Sequence, residues 1–180
     1  MAARAVRTVK VNRAPVLTLW AAVVAERMGF ARDEALTMGR VVAGLNAYAK
    51  GRALGLYAPR PRTVKEERKR LAAGAILHVE LLHRAVPVVR TPEGVRAVSK
   101  DRPVSPASVQ RYLASKLGDA LPAVEEAMKA LARSFPPPDL AARAYELYEA
   151  FRPEVPRGRL GWGAAGVLDL AAIEALARAR

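Results

Sequence analysis

The chain contains no cysteine among its 180 residues. Disulfide bonds, thiolate metal ligands and cysteine nucleophiles are therefore excluded, and the absence of cysteine is typical of a protein from a reducing compartment. Because 52% of the residues are hydrophobic, the chain can bury a substantial core. We therefore expect a folded protein that is held together by packing.

Long apolar runs are also absent, since the longest, residues 14–25, covers only 12 residues. A helix needs about 20 apolar residues to cross a bilayer, so we expect no membrane span. Four cations precede this run and resemble the start of a signal peptide: Arg4, Arg7, Lys10 and Arg13. Glu26 and Arg27 follow the run at once, however, and Pro15 and Trp20 lie within it. We therefore expect a cytoplasmic protein.

Acidic residues are scarce in the first half of the chain. Residues 1–90 carry 17 basic and 6 acidic side chains, whereas residues 91–180 carry 13 and 11, within a formal net charge of +13. A polycationic half attracts RNA, DNA, anionic lipid or acidic protein. The alternative is solubility combined with genome bias, because 23 arginines against 7 lysines suggest a GC-rich genome and a thermophilic source.

Catalytic and metal-binding patterns are missing as well. His78 and His83 are the only imidazoles, and their odd separation places them on opposite faces of a strand, so we predict no metal site. The glycine patterns of nucleotide-binding loops and the context of a serine nucleophile do not occur. We therefore predict no catalytic residue and no cofactor, although catalysis by scattered carboxylates stays open.

The first half of the chain predicts a helical pair followed by a small antiparallel sheet. Pro15 suits the first turn of a helix that ends at Gly29 in a Schellman motif, and a second helix is predicted over residues 31–50. A capping box at Thr63 opens a short helix to residue 74. Alternating residues predict strands near 76–82, 86–90 and 95–99, with Pro87 confining its strand to an edge or bulge.

A ridge of small residues runs along the second helix at every fourth position: Ala35, Gly39, Ala43 and Ala47. We expect this ridge to pack against another helix, in the same chain or in a partner.

The second half predicts a helical group. Ser105 caps a helix to residue 117, Asp119 starts a second to residue 134, and Asp139 opens a third. After a loop over 152–166, Asp169 caps the last helix. The fold class is therefore α+β, mainly α, with a basic arm over 1–13 that orders on a partner, a unit over 14–104 and a helical region over 105–180. One continuous domain over 14–180 is the alternative.

Candidate nucleic-acid-binding residues lie in three basic segments. Cations bind phosphates, and Tyr57 and Trp162 are available to stack bases. The set comprises Arg4, Arg7, Lys10 and Arg13 in the arm; Lys50, Arg52, Tyr57, Arg60, Arg62, Lys65, Arg68, Lys69 and Arg70 in the second segment; and Arg157, Arg159 and Trp162 in a glycine-rich loop. The competing interpretations are a solvated helix face for residues 50–70 and a buried, loop-anchoring role for Trp162.

Several segments resemble a family of uncharacterised proteins of bacteria, with similar segments in fungi. They include Ala14-Pro-Val-Leu-Thr-Leu-Trp20, Lys50-Gly-Arg-Ala-Leu-Gly-Leu-Tyr57 and Phe151-Arg-Pro-Glu-Val-Pro156. The resemblance covers most of the chain. It implies an intact intracellular domain and assigns no catalytic residue.

Three functions follow from these patterns, in descending order of support. The first is non-enzymatic binding of DNA or RNA through the basic N-terminal half. The second is a homo-oligomeric interaction or scaffold module built on the small-residue ridge and apolar helix faces. The third is an enzyme that acts on an anionic metabolite held by arginines. A helix-turn-helix near Gly29 is disfavoured, because Asp33 and Glu34 would begin its reading helix and face phosphates.

Overall fold

The computed structural model describes residues 7–53, 76–155 and 165–179, with the side chains of 50–53 left out. The first half contains β1 (Thr8–Asn12), α1 (Arg13–Arg27), α2 (Arg32–Ala53), β2 (Leu77–Leu81), β3 (Arg84–Thr91), β4 (Gly94–Ser99) and β5 (Arg102–Pro103). The second half contains α3 (Pro106–Leu117), a 3-10 turn (Gly118–Ala120), α4 (Leu121–Arg133), α5 (Pro137–Phe151), β6 (Ala165–Asp169) and α6 (Leu170–Arg178). The mainly helical α+β class is confirmed. The predicted helix over 63–74 lies outside the described residues.

Helix α1 is the centre of the fold. Every residue from Pro15 to Ala25 is buried, as expected for a helix that is apolar on all sides. The helix ends in the predicted Schellman motif: Gly29 has φ +112°, the amide of Phe30 donates to the carbonyl of Ala25 (3.1 Å), and the amide of Gly29 donates to that of Glu26 (3.0 Å). The tight turn at Gly29 brings α2 back along α1.

The small-residue ridge of α2 packs against α1 of the same chain, as predicted for one of its two alternatives. Ala35 and Ala43 are buried, and a Cβ added to Gly39 would overlap the backbone carbonyl oxygen of Thr18 and lie 3.2 Å from the Cβ of Ala22. Close approach of the two backbones therefore depends on Gly39. Because Ala35, Gly39 and Ala43 are buried against α1, this part of the ridge is not available to a second copy of the chain, whereas Ala47 is half-buried.

The four-stranded sheet has the order β2-β3-β4-β5, with antiparallel neighbours. The prediction that Pro87 confines its strand to an edge is wrong, because β3 has partners on both sides. Pro87 is tolerated because it opposes His78 in a pair that exchanges no hydrogen bonds, and pairing with β4 starts only at Val88. His83 was expected on a strand but lies in the β2–β3 turn with φ +61°, next to Leu82 with φ +50°.

Helix α2 covers the free side of β4 with two side chains. One carboxylate oxygen of Glu34 accepts from the amide of Val95 (2.7 Å), and the other accepts from the amide of Ala31 (3.0 Å) at the start of α2. The hydroxyl of Thr37 accepts from the amide of Ala97 (3.0 Å). Two amides that face away from β3 are thereby satisfied, and the β4 edge is closed where β5 does not reach.

We expect the Glu34 contacts to make stability depend on pH. Hydrogen bonds from the amides of Val95 and Ala31 lower the pKa of Glu34. A lowered folded-state pKa stabilises the fold above the unfolded-state value, and this contribution is lost as pH falls through the folded-state value. Glu34→Gln should therefore cost about 1 kcal/mol at neutral pH, and the difference should shrink below pH of about 4.

Chemical denaturation of both proteins between pH 3 and pH 7 would measure this difference, with Glu93→Gln in the exposed β3–β4 turn as the matched control. The Glu93 variant should stay within about 0.5 kcal/mol of the wild type throughout. A Glu34→Gln deficit that does not change with pH would contradict the assignment.

The C-terminal helices follow the predicted caps closely. The hydroxyl of Ser105 accepts from the amide of Ser108 (3.3 Å), and the carboxylate of Asp169 accepts from that of Ala171 (2.9 Å). Helix α4 begins at Leu121, after the 3-10 turn, two residues later than predicted. Helix α5 begins at Pro137, two residues before Asp139, because the first turn of a helix accepts proline.

A second, two-stranded sheet joins the two ends of the chain and was not predicted. β1 pairs antiparallel with β6, with Lys10 opposite Val167 and Val11 opposite Gly166. The expectation that the arm orders only on a partner is therefore wrong for residues 8–12, and β6 begins within the predicted loop over 152–166. Val11 and Leu168 are buried, so the pairing is fixed by the core beneath it.

Candidate nucleic-acid interface

Three of the predicted nucleic-acid-binding side chains are described: those of Arg7, Lys10 and Arg13. Lys50 and Arg52 lie in the last turn of α2, but only their backbone is described. The others lie outside the described residues: Arg4, Tyr57, Arg60, Arg62, Lys65, Arg68, Lys69, Arg70, Arg157, Arg159 and Trp162. The interpretations of Tyr57 and Trp162 therefore stay predictions.

The β1 strand presents two of these cations to solvent. The side chain of Arg7 is 70% exposed, and its Nη1 lies 4.0 Å from a carboxylate oxygen of Glu174. Lys10 is exposed and makes no ion pair with the residues that the structure describes. An exposed ion pair at this distance contributes little, so both side chains are able to reach an external anion.

Arg13 is engaged within the chain. Its Nε donates to the carbonyl of Pro153 (2.9 Å), and its own carbonyl accepts from the hydroxyl of Tyr148 at 3.5 Å. Partial burial and the neighbouring Arg152 lower the pKa of Arg13. These contacts connect the start of α1 to Tyr148 of α5 and to the segment that follows α5. Arg13 therefore has a structural role.

Several further cations are exposed in the structure, although the distribution of charge along the sequence did not identify them as candidates. Within the described part of the chain, none of them has a carboxylate within 4.0 Å: Arg90, Lys100, Arg102, Arg111 and Lys116. Lys100 and Arg102 flank the β4–β5 turn, and Arg111 and Lys116 lie on α3. Acidic residues lie near them in the sequence, so only the fold shows that these cations form no described ion pair.

Arg32 of α2 and the described cations of α4 and α6 lie near carboxylates. Arg32 bonds to Glu125 (2.5 Å) across 93 residues of sequence, and this hydrogen bond raises the pKa of Arg32. The other pairs are Lys129–Glu125 at 3.4 Å, Arg133–Glu126 at 3.0 Å and Arg178–Glu174 at 4.0 Å. In α5, the guanidinium of Arg143 lies 5.3 Å above the ring of Phe135. The cations of this region therefore have partners inside the protein.

Two of the cavities in the described part of the chain have polar side chains in their lining. One, of about 420 Å³, lies between the starts of α2 and α3, and Arg32, Asp33 and Arg96 line it. Both arginines already have partners: the two terminal nitrogens of Arg32 donate to Glu26, Glu125 and Gln110, and Nη1 of Arg96 donates to the carbonyl of Val95. The other, of about 410 Å³, has an apolar wall and a polar rim formed by Glu80 and His83. Its apolar wall consists of Val24, Met28, Leu81, Leu82, Pro138, Ala141 and Ala142.

The described residues form no group of three or more His, Asp or Glu side chains that could hold a metal ion. His83 contacts the ring of Tyr145 edge-on, with ring centres 6.3 Å apart, while His78 lies on β2 opposite Pro87. No helix in the described ranges has the length and apolar character to cross a membrane. The chain matches no protein-family model, no curated protein and no solved structure.

Proposed function

We propose that the protein binds nucleic acid without catalysing a reaction, and that the cations of its N-terminal half contact the phosphate backbone. The observation that carries this proposal is that positive charge greatly exceeds negative charge in one segment of the chain. Residues 50–70 hold eight cations and two acids, whereas Lys129 and Arg133 of α4 lie 3.4 Å and 3.0 Å from carboxylate oxygens of Glu125 and Glu126. Unneutralised cations favour a polyanionic partner.

Exposed cations outside residues 50–70 support the same proposal. Lys10, Lys100 and Arg102 have no described carboxylate partner, so their charge adds to that of residues 50–70. Binding by phosphate contacts depends on charge and backbone geometry, with little preference for base sequence. We therefore infer that affinity depends on the number of phosphates contacted and on the salt concentration.

Two triple variants test the placement of the interface. Changing Arg60, Arg62 and Lys65 to glutamine should weaken binding of labelled RNA and DNA by about a hundredfold or more at about 50 mM salt. Each phosphate contact that is lost reduces the number of counterions that binding releases. Changing Arg133, Arg143 and Arg178 to glutamine removes the same charge from side chains that already contact Glu126, Phe135 and Glu174. That control should weaken binding less than about threefold.

Fluorescence anisotropy titrations give both affinities, and circular dichroism verifies that each variant is folded. Equal losses from the two triples would show that the charge acts without a localised site and would reject the proposed interface. Unchanged affinity in the first triple would reject it as well.

A further inference from the structure

In the described part of the chain, strand β2 is an edge strand of five residues that contains neither lysine nor proline. It lies at one end of the order β2-β3-β4-β5, and its pairing with β3 runs from Leu77 to Leu81 without a bulge. Proteins usually blunt exposed edges with lysine, proline, bulges or very short strands. No lysine or arginine occurs between residues 71 and 83, although the chain has 30 of them.

The other described edges are protected. β5 has only two residues, Arg102 and Pro103, and Lys100 lies in the turn before it. β1 carries the exposed Lys10, and the far side of β6 is bridged where Val167 pairs with Glu154. Among the described strands, β2 is therefore the edge best suited to pair with another strand.

The backbone of β2 is ready to pair on its outer side. Leu81 and Arg84 flank a two-residue turn, so they exchange hydrogen bonds, and this pattern alternates along the hairpin. The N–H and C=O groups of His78 and Glu80 consequently point away from β3. No described residue bonds to these backbone groups.

We propose that β2 pairs antiparallel with β2 of a second copy of the chain, about a two-fold axis at Val79. In this register, His78 lies opposite Glu80 of the other copy, and the pair occurs twice. An imidazole N–H then donates to a carboxylate on the same face of the joined sheet. A strand that carries both members of such a pair complements itself, as a two-fold interface requires.

The same register explains an exposed apolar side chain. Leu77 is 48% exposed, and it would lie opposite Leu81 of the second copy, beside the cavity of about 410 Å³ that Leu81 lines. Apolar contact across the strands would cover Leu77 and part of the wall of that cavity. Two copies of a chain with net charge +13 repel each other, and this strand lets them meet without opposing cations.

Sedimentation velocity without nucleic acid tests the dimer independently of the proposed function. The wild type should dimerise at concentrations up to about 100 µM. Glu80→Lys places a lysine opposite His78 and should weaken dimerisation about tenfold or more, whereas Glu93→Lys, an equal charge change in the exposed β3–β4 turn, should weaken it less than about threefold.

The charge-swapped double variant, His78→Glu with Glu80→Lys, tests the register. It restores an oppositely charged pair only if residue 78 faces residue 80 of the second copy, so its dissociation constant should return to within about threefold of the wild type. A wild type that stays monomeric to about 200 µM would overturn the proposal. So would a Glu80→Lys dimer as tight as the wild type, or a double variant no tighter than Glu80→Lys.

Discussion

Gly39→Ala should destabilise the protein by about 2 to 3 kcal/mol, although alanine is the better helix former. The added methyl would overlap the carbonyl oxygen of Thr18, which belongs to the backbone of α1 and cannot move as a side-chain end can. The two helices would have to separate along their whole contact. Because α1 is buried from Pro15 to Ala25, that separation would disturb the centre of the core.

Gly44→Ala is the matched control on the same helix. Gly44 is exposed, and a Cβ added there meets no atom within 4 Å. Only the higher helix propensity of alanine affects stability at this position, so this variant should be more stable than the wild type by about 0.5 to 1 kcal/mol. Urea denaturation of both variants measures the two effects. Equal signs for the two substitutions would contradict the close α1–α2 contact.

Trp20→Ala should destabilise the protein by about 3 to 5 kcal/mol, the largest effect that we expect from a single substitution. The side chain is fully buried, and its ring packs edge-on against Phe151 with ring centres 5.3 Å apart. Its indole Nε1 donates to the carbonyl of Ala144 (2.9 Å), which links α1 to α5. The substitution would remove this hydrogen bond and leave a cavity between the two helices.

Trp20→Phe separates the hydrogen bond from the packing. The phenyl ring retains much of the apolar contact with Phe151 but cannot donate to Ala144, so the cost should fall to about 1 to 2 kcal/mol. Unfolding free energies of the two variants decide the matter. A Trp20→Ala protein within about 1 kcal/mol of the wild type would contradict the central position of α1.

Sequence predicted the parts of the fold that local chemistry determines. The Schellman ending at Gly29 and the caps at Ser105 and Asp169 each depend on residues a few positions apart, and the structure has all three. The spacing of apolar residues also predicted the buried face of α5, since Leu140, Ala144 and Leu147 recur at helical spacing and are buried.

Features that depend on distant contacts could not be predicted. The β1–β6 sheet joins two five-residue strands that lie far apart in the sequence. Val9 and Val11 alternate with polar residues in β1, as in a strand, but this pattern does not identify the partner strand. Pro87 suggested an edge strand because proline has no N–H to donate to a neighbouring strand. The sequence does not give the strand register, in which this N–H is not needed for pairing. The cover that Glu34 and Thr37 place over β4 likewise requires knowing that α2 lies beside that strand.

The candidate site divides in the same way. The excess of positive charge in residues 50–70 is a property of the sequence. Which cations are neutralised is a property of the fold, because the Arg32–Glu125 pair spans 93 residues. Arg13 illustrates the difference, since its charge suggested a phosphate contact and its Nε holds the carbonyl of Pro153.

The dependence of nucleic-acid affinity on salt tests the central proposal most directly. Wild-type protein is titrated into labelled duplex DNA and single-stranded RNA at several salt concentrations. For about six phosphate contacts, log K against log salt should fall with a slope of about −5 on the duplex and about −4 on the single strand, with little dependence on base sequence. Absence of binding at low salt, or an affinity that does not change with salt, would contradict the proposed function.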